Sequence, residues 1–286
     1  MGAAMAGAVP AAAALYARAN QVLGFDIQTI CRDGPLERLT ETAITQPALV
    51  ATSLACLAAI DRTPDLVVGH SVGEYSALAA AGILSTDAVI ALTRARGSAT
   101  AAAAARAPGA MAAVIGLDDN VVEELCAGIA GVWPANYNCP GQLVVSGTVG
   151  GVDALIVAAE AAGARRAIKL KVAGGFHSPL TASAADDLLP ALDAATFVPG
   201  SIPFFSTTSV RYETHETAKQ LLVDQLGQPV RFTQTVQALR AEGVTTFVEV
   251  GSGSVLSGLV RRIDKGLKTV SVSTPDDLPK LQEALG

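Results

Sequence analysis

The distribution of apolar and polar positions divides the chain into helical stretches and short buried strands. Apolar positions Leu15, Val22 and Leu23 fall on one face of a helix predicted over 11–23, entered through Pro10. A second helix is expected after Pro47, carrying Leu49, Leu54 and Leu57. The continuous apolar run Asp65-Leu66-Val67-Val68 reads as a buried strand. It runs at once into Gly69-His70-Ser71-Val72-Gly73-Glu74 and a helix over 75–81, so the local pattern is strand, sharp turn, helix. Another helix is expected from Thr86 to about Ala105.

Beyond Pro108 the elements shorten. Strands are expected over 110–115, 142–146 and 166–172, with helices over 121–129 and 152–162 between them, an alternation that suits a small ferredoxin-like insert. After Gly174-Gly175 longer helices and apolar strands such as 246–250 return. The fold class expected is therefore α/β: a hydrolase-like large part with a parallel sheet, formed by 1–106 and 175–286, interrupted by the α+β insert over 107–174. No internal repeat is present.

Composition narrows the function classes. Of 286 residues 50% are apolar, 16% charged and 4% aromatic, which excludes disorder and implies a core of Ala, Val and Leu. A net charge of -6 argues against a partner that is nucleic acid or an anionic membrane surface. The alanine-rich apolar stretches are broken by Pro10, Arg106 and Pro108, so none makes a membrane span, and no positive charge precedes the first of them as in a secretory signal. Cys31, Cys56, Cys126 and Cys139 are widely spaced and read as reduced packing residues, with no metal site and no cofactor expected. A cytoplasmic enzyme, monomeric, is the expectation.

The chemistry centres on Gly69-x-Ser71-x-Gly73. In a nucleophile elbow, glycines flank a serine so that a strained strand-to-helix turn lifts its hydroxyl above the sheet. The bare pentapeptide is common, but here a buried-type strand precedes it and a helix follows. Val72 N–H, at the helix start, then faces an oxyanion formed on an acyl group at Ser71. A serine nucleophile needs a base. His70 diverges from Ser71 at a tight turn and supports the elbow; His215 lies in a polar stretch read as a solvated loop. His177, on a loop after a strand and Gly174-Gly175-Phe176, is the base by elimination.

The runs Gly69-His70-Ser71-Val72-Gly73-Glu74-Tyr75-Ser76-Ala77-Leu78, Asn136-Tyr137-Asn138-Cys139-Pro140-Gly141-Gln142 and Gly175-Phe176-His177-Ser178 resemble those of malonyl-CoA:acyl carrier protein transacylases. Thr45-Gln46-Pro47-Ala48-Leu49 and Gln225-Leu226 with Pro229-Val230 match in the same order, so the resemblance spans essentially the whole chain. It implies a transfer of malonyl from malonyl-CoA to Ser71 and then to the phosphopantetheine thiol of acyl carrier protein, in fatty-acid biosynthesis. His177 is then base and acid, and the backbone carbonyl of Gln225 orients it in place of an acidic residue. Arg96, 25 positions beyond the serine, holds the malonyl carboxylate. Arg94 is read as a surface arginine. Phe176 crowds an extra methyl and favours malonyl over methylmalonyl. His70, Gln46 and Asn138 are placed among the substrate-binding residues, and Asn138 with Gln142 at the cleft between the two parts, although an Asn-Cys-Pro-Gly turn explains that run equally well.

Two further features follow from the same resemblance. Gly251-Ser252-Gly253-Ser254 looks like a phosphate loop, but Leu256 stands where the third glycine of a dinucleotide fingerprint belongs, so it reads as a turn. Arg165, Arg166, Lys169 and Lys171, with Arg261, Arg262, Lys265 and Lys268, either meet an acidic carrier protein and coenzyme A phosphates or are ordinary solvated faces. Members of the family begin with a strand and a Gly-Gln-Gly-Ser-Gln loop that supplies a second oxyanion donor; Met1-Gly2 corresponds to residues after that loop. The expectation is a truncated chain short of that strand, which exposes a sheet edge, and short of that donor, which is worth about a hundred- to a thousandfold in rate. The same residues leave three other functions open: an acyltransferase of polyketide assembly or malonate decarboxylation, a serine hydrolase, and a catalytically impaired binding subunit.

Overall fold

A computed structural model describes residues 1–286. Five helices come first: α1 (Ala3–Ala8), α2 (Pro10–Leu23), α3 (Ile27–Asp33), α4 (Leu36–Thr40) and α5 (Thr42–Leu57). The elbow follows as β1 (Val67–Gly69) and α6 (Gly73–Ala80), then the long α7 (Thr86–Arg106). The middle of the chain runs β2 (Gly109–Ile115), α8 (Asp119–Gly128), β3 (Val132–Cys139), β4 (Gln142–Thr148), α9 (Val149–Ala161) and β5 (Arg166–Lys169). It ends with α10 (Ala184–Ala194), β6 (Phe204–Ser206), β7 (Tyr212–Glu213), α11 (His215–Asp224), α12 (Phe232–Ala241), β8 (Thr246–Val250), α13 (Val255–Ile263), β9 (Lys268–Val272) and α14 (Leu278–Leu285).

The middle segment is a four-stranded antiparallel sheet in the order β3-β4-β2-β5, with α8 and α9 packed over one hydrophobic cluster that includes Val122, Leu143, Val152 and Leu155. Strand, helix, strand, strand, helix, strand in that order is the ferredoxin-like arrangement. The sequence pattern missed β3, because Pro134, Asn136 and Asn138 interrupt its apolar run and its ladder is irregular at two places. β5 also stops three residues before the expected end.

The parallel strands form two pieces rather than one sheet. β1 pairs parallel with β6, which pairs antiparallel with β7; β8 pairs parallel with β9. Between β1 and β8 lies a cavity of about 650 Å³ lined by both strands. The main core of Leu54, Tyr75, Leu78, Leu92, Leu188, Phe204 and Leu222 packs α5, α6 and α7 against α10, α11 and β6, and so fixes the elbow from behind. The second half is tied to the ferredoxin-like sheet by Tyr137 N–H donating to Val230 O and Val230 N–H donating to Ala135 O, both 2.8 Å.

α5 departs from its expected start. It begins at Thr42, so Pro47 lies inside the helix instead of preceding it. Proline removes the N–H that would bond the carbonyl four residues back. That carbonyl, Ala43 O, accepts from Arg94 Nη1 at 2.7 Å, so an arginine expected at the surface repairs the helix. His215, expected in a loop, opens α11. No helix is long and apolar enough to cross a membrane, and all four cysteines are free and buried.

Candidate functional site

The elbow is made by close approach. A Cβ on Gly69 would lie 2.2–2.3 Å from the backbone of Gly73 and Glu74, so only glycine lets α6 start directly over the strand end. Gly73 is different: a Cβ there meets nothing within 4 Å, so the second glycine of the motif is not required by space. Ser71 sits at the apex with φ 52°, in the left-handed region that side chains seldom adopt. Val72 N–H, at the start of α6, donates to no acceptor in the protein.

His177 reaches Ser71 from the far side of the cleft. Its Nε2 is 2.7 Å from Ser71 Oγ. Its Nδ1 lies 3.0 Å from Gln225 O and 3.2 Å from Gln228 O. Two carbonyls at Nδ1 can only accept, so the proton resides there and Nε2 presents its lone pair to the serine hydroxyl. His177 is itself left-handed, with φ 57°, and 7% exposed. Burial, then the nearby charges of Arg96 and His70, push its pKa down to about 3, so the ring is neutral at physiological pH.

Arg96 is 5% exposed and forms no ion pair. Its fork is held by neutral amides: Nη1 donates to Gln46 Oε1 at 2.7 Å, and Nε and Nη2 donate to Gln225 Oε1 at 3.2 and 2.9 Å. Nη2 also lies 3.3 Å from Ser71 Oγ. Gln46 is fixed in turn by donating to Thr100 Oγ1 at 3.1 Å. Gly97 permits this meeting, since a Cβ there would strike Thr42 O at 2.6 Å and force α5 and α7 apart. Burial lowers the Arg96 pKa, and its guanidinium lies 5.8 Å from the Tyr75 ring centroid.

Ser71, Val72, His177, Arg96 and Gln46 line a cleft of about 230 Å³ with Phe176, Met111, Asn136, Thr181 and Leu226, and Gln225 stands behind it on Arg96 and His177. Ser71, His177, Gln225, Val72, Arg96, Gln46 and Phe176 thus converge as the sequence suggests. His70 lines the same cleft; its Nε2 is 3.0 Å from Asn138 Oδ1 and its ring meets Phe232 edge-on at 5.5 Å. Asn138 therefore stands behind His70, and Asn136, two residues earlier on β3, is the asparagine on the cleft wall. Regular alternation would put Asn136 and Asn138 on one face; the irregularity of the β3–β4 ladder between Tyr137 and Cys139 separates them, and no sequence pattern reveals it. Gln142 lies elsewhere, accepting from Arg262 Nη1. At Gly251-Ser252-Gly253-Ser254 the N–H groups of Leu256 and Ser257 at the start of α13 are taken by Glu249, which leaves the loop a turn.

Residues 1–283 match the family model of the acyl transferase domain. A malonyl CoA-acyl carrier protein transacylase of Bacillus subtilis is 42% identical over 278 residues, 94% of this chain and 88% of the relative. Among solved structures, a malonyl-CoA:acyl carrier protein transacylase from Xanthomonas oryzae superposes with TM-score 0.95 at 39% identity, covering 99% of this chain and 93% of that one. A type II PKS acyl-carrier protein in complex with its malonyl-transacylase gives TM-score 0.94 at 37% identity, with 99% and 94% covered.

Proposed function

The chain belongs to the acyl transferase family, and from that premise we propose that it is an acyl-carrier-protein S-malonyltransferase working through Ser71. The observation that carries this reading is the pairing of Ser71 Oγ with His177 Nε2 at 2.7 Å beside an arginine that is buried without an ion pair, its Nη2 3.3 Å from the same hydroxyl. A nucleophile poised next to an unpaired cation selects an acyl group that ends in a carboxylate.

Ser71 Oγ attacks the thioester carbonyl of malonyl-CoA while His177 Nε2 takes its proton. The oxyanion forms toward Val72 N–H. Collapse breaks the carbon–sulfur bond, and the departing coenzyme A thiolate receives the proton from His177, leaving a malonyl ester on Ser71. The phosphopantetheine thiol of acyl carrier protein then gives its proton to His177 and attacks the ester; the proton returns to Ser71 Oγ as malonyl leaves on the carrier. The two carbonyls of Gln225 and Gln228 hold the imidazole in the tautomer required throughout and stabilise its charged form. Arg96 receives the malonyl carboxylate bidentately, its fork held by Gln46 and Gln225.

The cleft lies between the part formed by 1–106 and 175–286 and the ferredoxin-like part, 107–174, which supplies Met111 and Asn136. Fatty-acid biosynthesis in the cytoplasm, by a monomer that needs no cofactor, is the setting proposed. The test is intact mass after brief exposure to malonyl-CoA. A malonyl adduct that leaves on addition of holo acyl carrier protein, and is absent in Ser71→Ala, is expected. An adduct lost to water at the same rate without carrier overturns the transferase reading in favour of a hydrolase.

A further inference from the structure

Glu74 is fully buried and pairs with no cation. Its Oε1 accepts from Ser206 Oγ at 2.8 Å, Thr207 N at 2.7 Å, Thr207 Oγ1 at 3.0 Å and Thr208 N at 3.4 Å. Its Oε2 accepts from Thr208 Oγ1 at 3.4 Å and from Gln225 Nε2. Burial pushes its carboxyl pKa up, and the donors around it oppose that push. A buried acid and a buried arginine, each without an ion pair, are costly separately. Here they are joined through one side-chain amide, for Gln225 Oε1 is the acceptor of both Arg96 Nε and Nη2.

The amide has one orientation compatible with its neighbours. Nε2 faces two acceptors, Glu74 Oε2 and Ser71 O, the latter at 3.0 Å, while Oε1 faces two donors of Arg96. Turning it over would set an N–H₂ against a guanidinium and a carbonyl against a carboxylate. We propose that Glu74 is the positioning residue of the acyl-carboxylate site: through the Gln225 amide it orients and counter-charges Arg96 while leaving the guanidinium free for the substrate. A direct ion pair would place a second carboxylate where the malonyl carboxylate must bind, and like charges there repel. The intervening amide keeps the anion one group away and is polarised by it, which strengthens the hold on the arginine.

The inference rests on the reading of Arg96 as the malonyl holder, and it separates from a structural role because the two oxygens of Glu74 do different work. Oε1 takes four of the five bonds from the turn at 206–208; Oε2 takes the long one from Thr208 Oγ1 and sets Gln225. In Glu74→Gln the donors at Ser206 and Thr207 keep the new carboxamide oxygen on their side, so its N–H₂ confronts Gln225 Nε2 and turns that amide over. The experiment measures acylation of Ser71 by malonyl-CoA and by acetyl-CoA, with the urea midpoint of each protein. Glu74→Gln is expected to lower the malonyl-to-acetyl ratio of kcat/KM at least tenfold, mainly through KM for malonyl-CoA, while Ser206→Ala leaves the ratio as in the wild type. A folded Glu74→Gln with an unchanged ratio, or with equal losses for both esters, overturns the inference. If Glu74→Gln does not fold, Gln225→Met carries the test, since it removes the amide and keeps the carbonyl that holds His177; an unchanged ratio there overturns it too. Wild-type protein that takes no malonyl group overturns the transferase reading itself, and the inference with it.

Discussion

Ser71 and His177 share a backbone conformation as well as a hydrogen bond: their φ angles are 52° and 57°, and Ser71 Oγ meets His177 Nε2 at 2.7 Å across 106 residues of chain. Strain of this kind persists only where the surroundings over-determine it. At Ser71 the fixing contacts are Gly69 packed under the helix start and Gln225 Nε2 bonded to Ser71 O; at His177 they are the two carbonyls on Nδ1.

The depressed His177 pKa has consequences for rate and for stability, with definite signs. An ordinary imidazole takes a proton near pH 6.5, whereas His177 in the folded protein does so only at about 3. Its Nε2 therefore remains a base far below neutrality, and acylation of Ser71, measured by rapid quench, is expected to stay level from pH 8 to about pH 5. A fall centred on pH 6.5 would sink this assignment. Between these two values the unfolded chain binds one more proton than the folded one, so the stability contributed by neutral His177 is present above pH 6.5 and is lost as pH falls toward 3. The urea midpoint should drop more between pH 7.5 and 5 in the wild type than in His177→Gln.

The two glycines of the elbow are predicted to respond unequally to alanine. Gly69→Ala forces a methyl to within 2.3 Å of backbone atoms that cannot swing aside, so it should cost at least about 3 kcal/mol and abolish acylation. Gly73→Ala adds a methyl in open space at the first turn of α6, where φ is not left-handed, and should change stability by less than about 0.5 kcal/mol. Urea denaturation and adduct formation on both variants check the contrast; equal effects would refute the geometry of the elbow.

Arg94 and Pro47 should behave as a coupled pair. Arg94→Met strips the donor from Ala43 O and is expected to cost about 1–3 kcal/mol as a carbonyl is left unsatisfied in the helix. Pro47→Ala restores the N–H that the helix would otherwise supply, so it should rescue most of that loss in the double variant. Additive losses in the cycle would show that the bond to Ala43 O contributes nothing.

The elbow, its histidine and Arg96 were legible because each rests on local patterning or on residues at fixed places along a matching chain. What stayed hidden depends on contacts between distant segments. Arg94 read as a surface residue because nothing in its own helix reveals the carbonyl freed by Pro47, 47 positions away. Asn138 is expected at the cleft and Asn136 lines it instead, because an interrupted apolar run conceals β3 and, with it, the ladder irregularity after Tyr137 that turns Asn138 toward His70. Glu74 lies inside the quoted motif, yet its partners Ser206, Thr207, Thr208 and Gln225 come from β6, the turn after it and the end of α11, which only the fold assembles. Gln225 was expected to act through its backbone carbonyl; its side chain, bonded to Ser71, Glu74 and Arg96, carries as much of the site.

Phe176 sits on the wall of the 230 Å³ cleft beside His177, half-buried; if Ser71 carries the acyl group as proposed, the ring is expected to limit the width beside the acyl α-carbon. A methyl branch there must displace the ring or be excluded, and one methyl's difference in an apolar pocket gives about 10- to 200-fold discrimination. Phe176→Ser removes the ring without touching Ser71, His177 or Arg96. It should therefore raise the methylmalonyl-to-malonyl ratio of kcat/KM by about tenfold or more, with the gain on methylmalonyl-CoA and only a small loss on malonyl-CoA. Competition between the two esters for Ser71, read by intact mass, measures the ratio directly. A variant that keeps the wild-type ratio would move the selectivity from Phe176 to another part of the wall, and Met111 and Leu226, the other large apolar residues lining the cleft, are the residues that would then carry it.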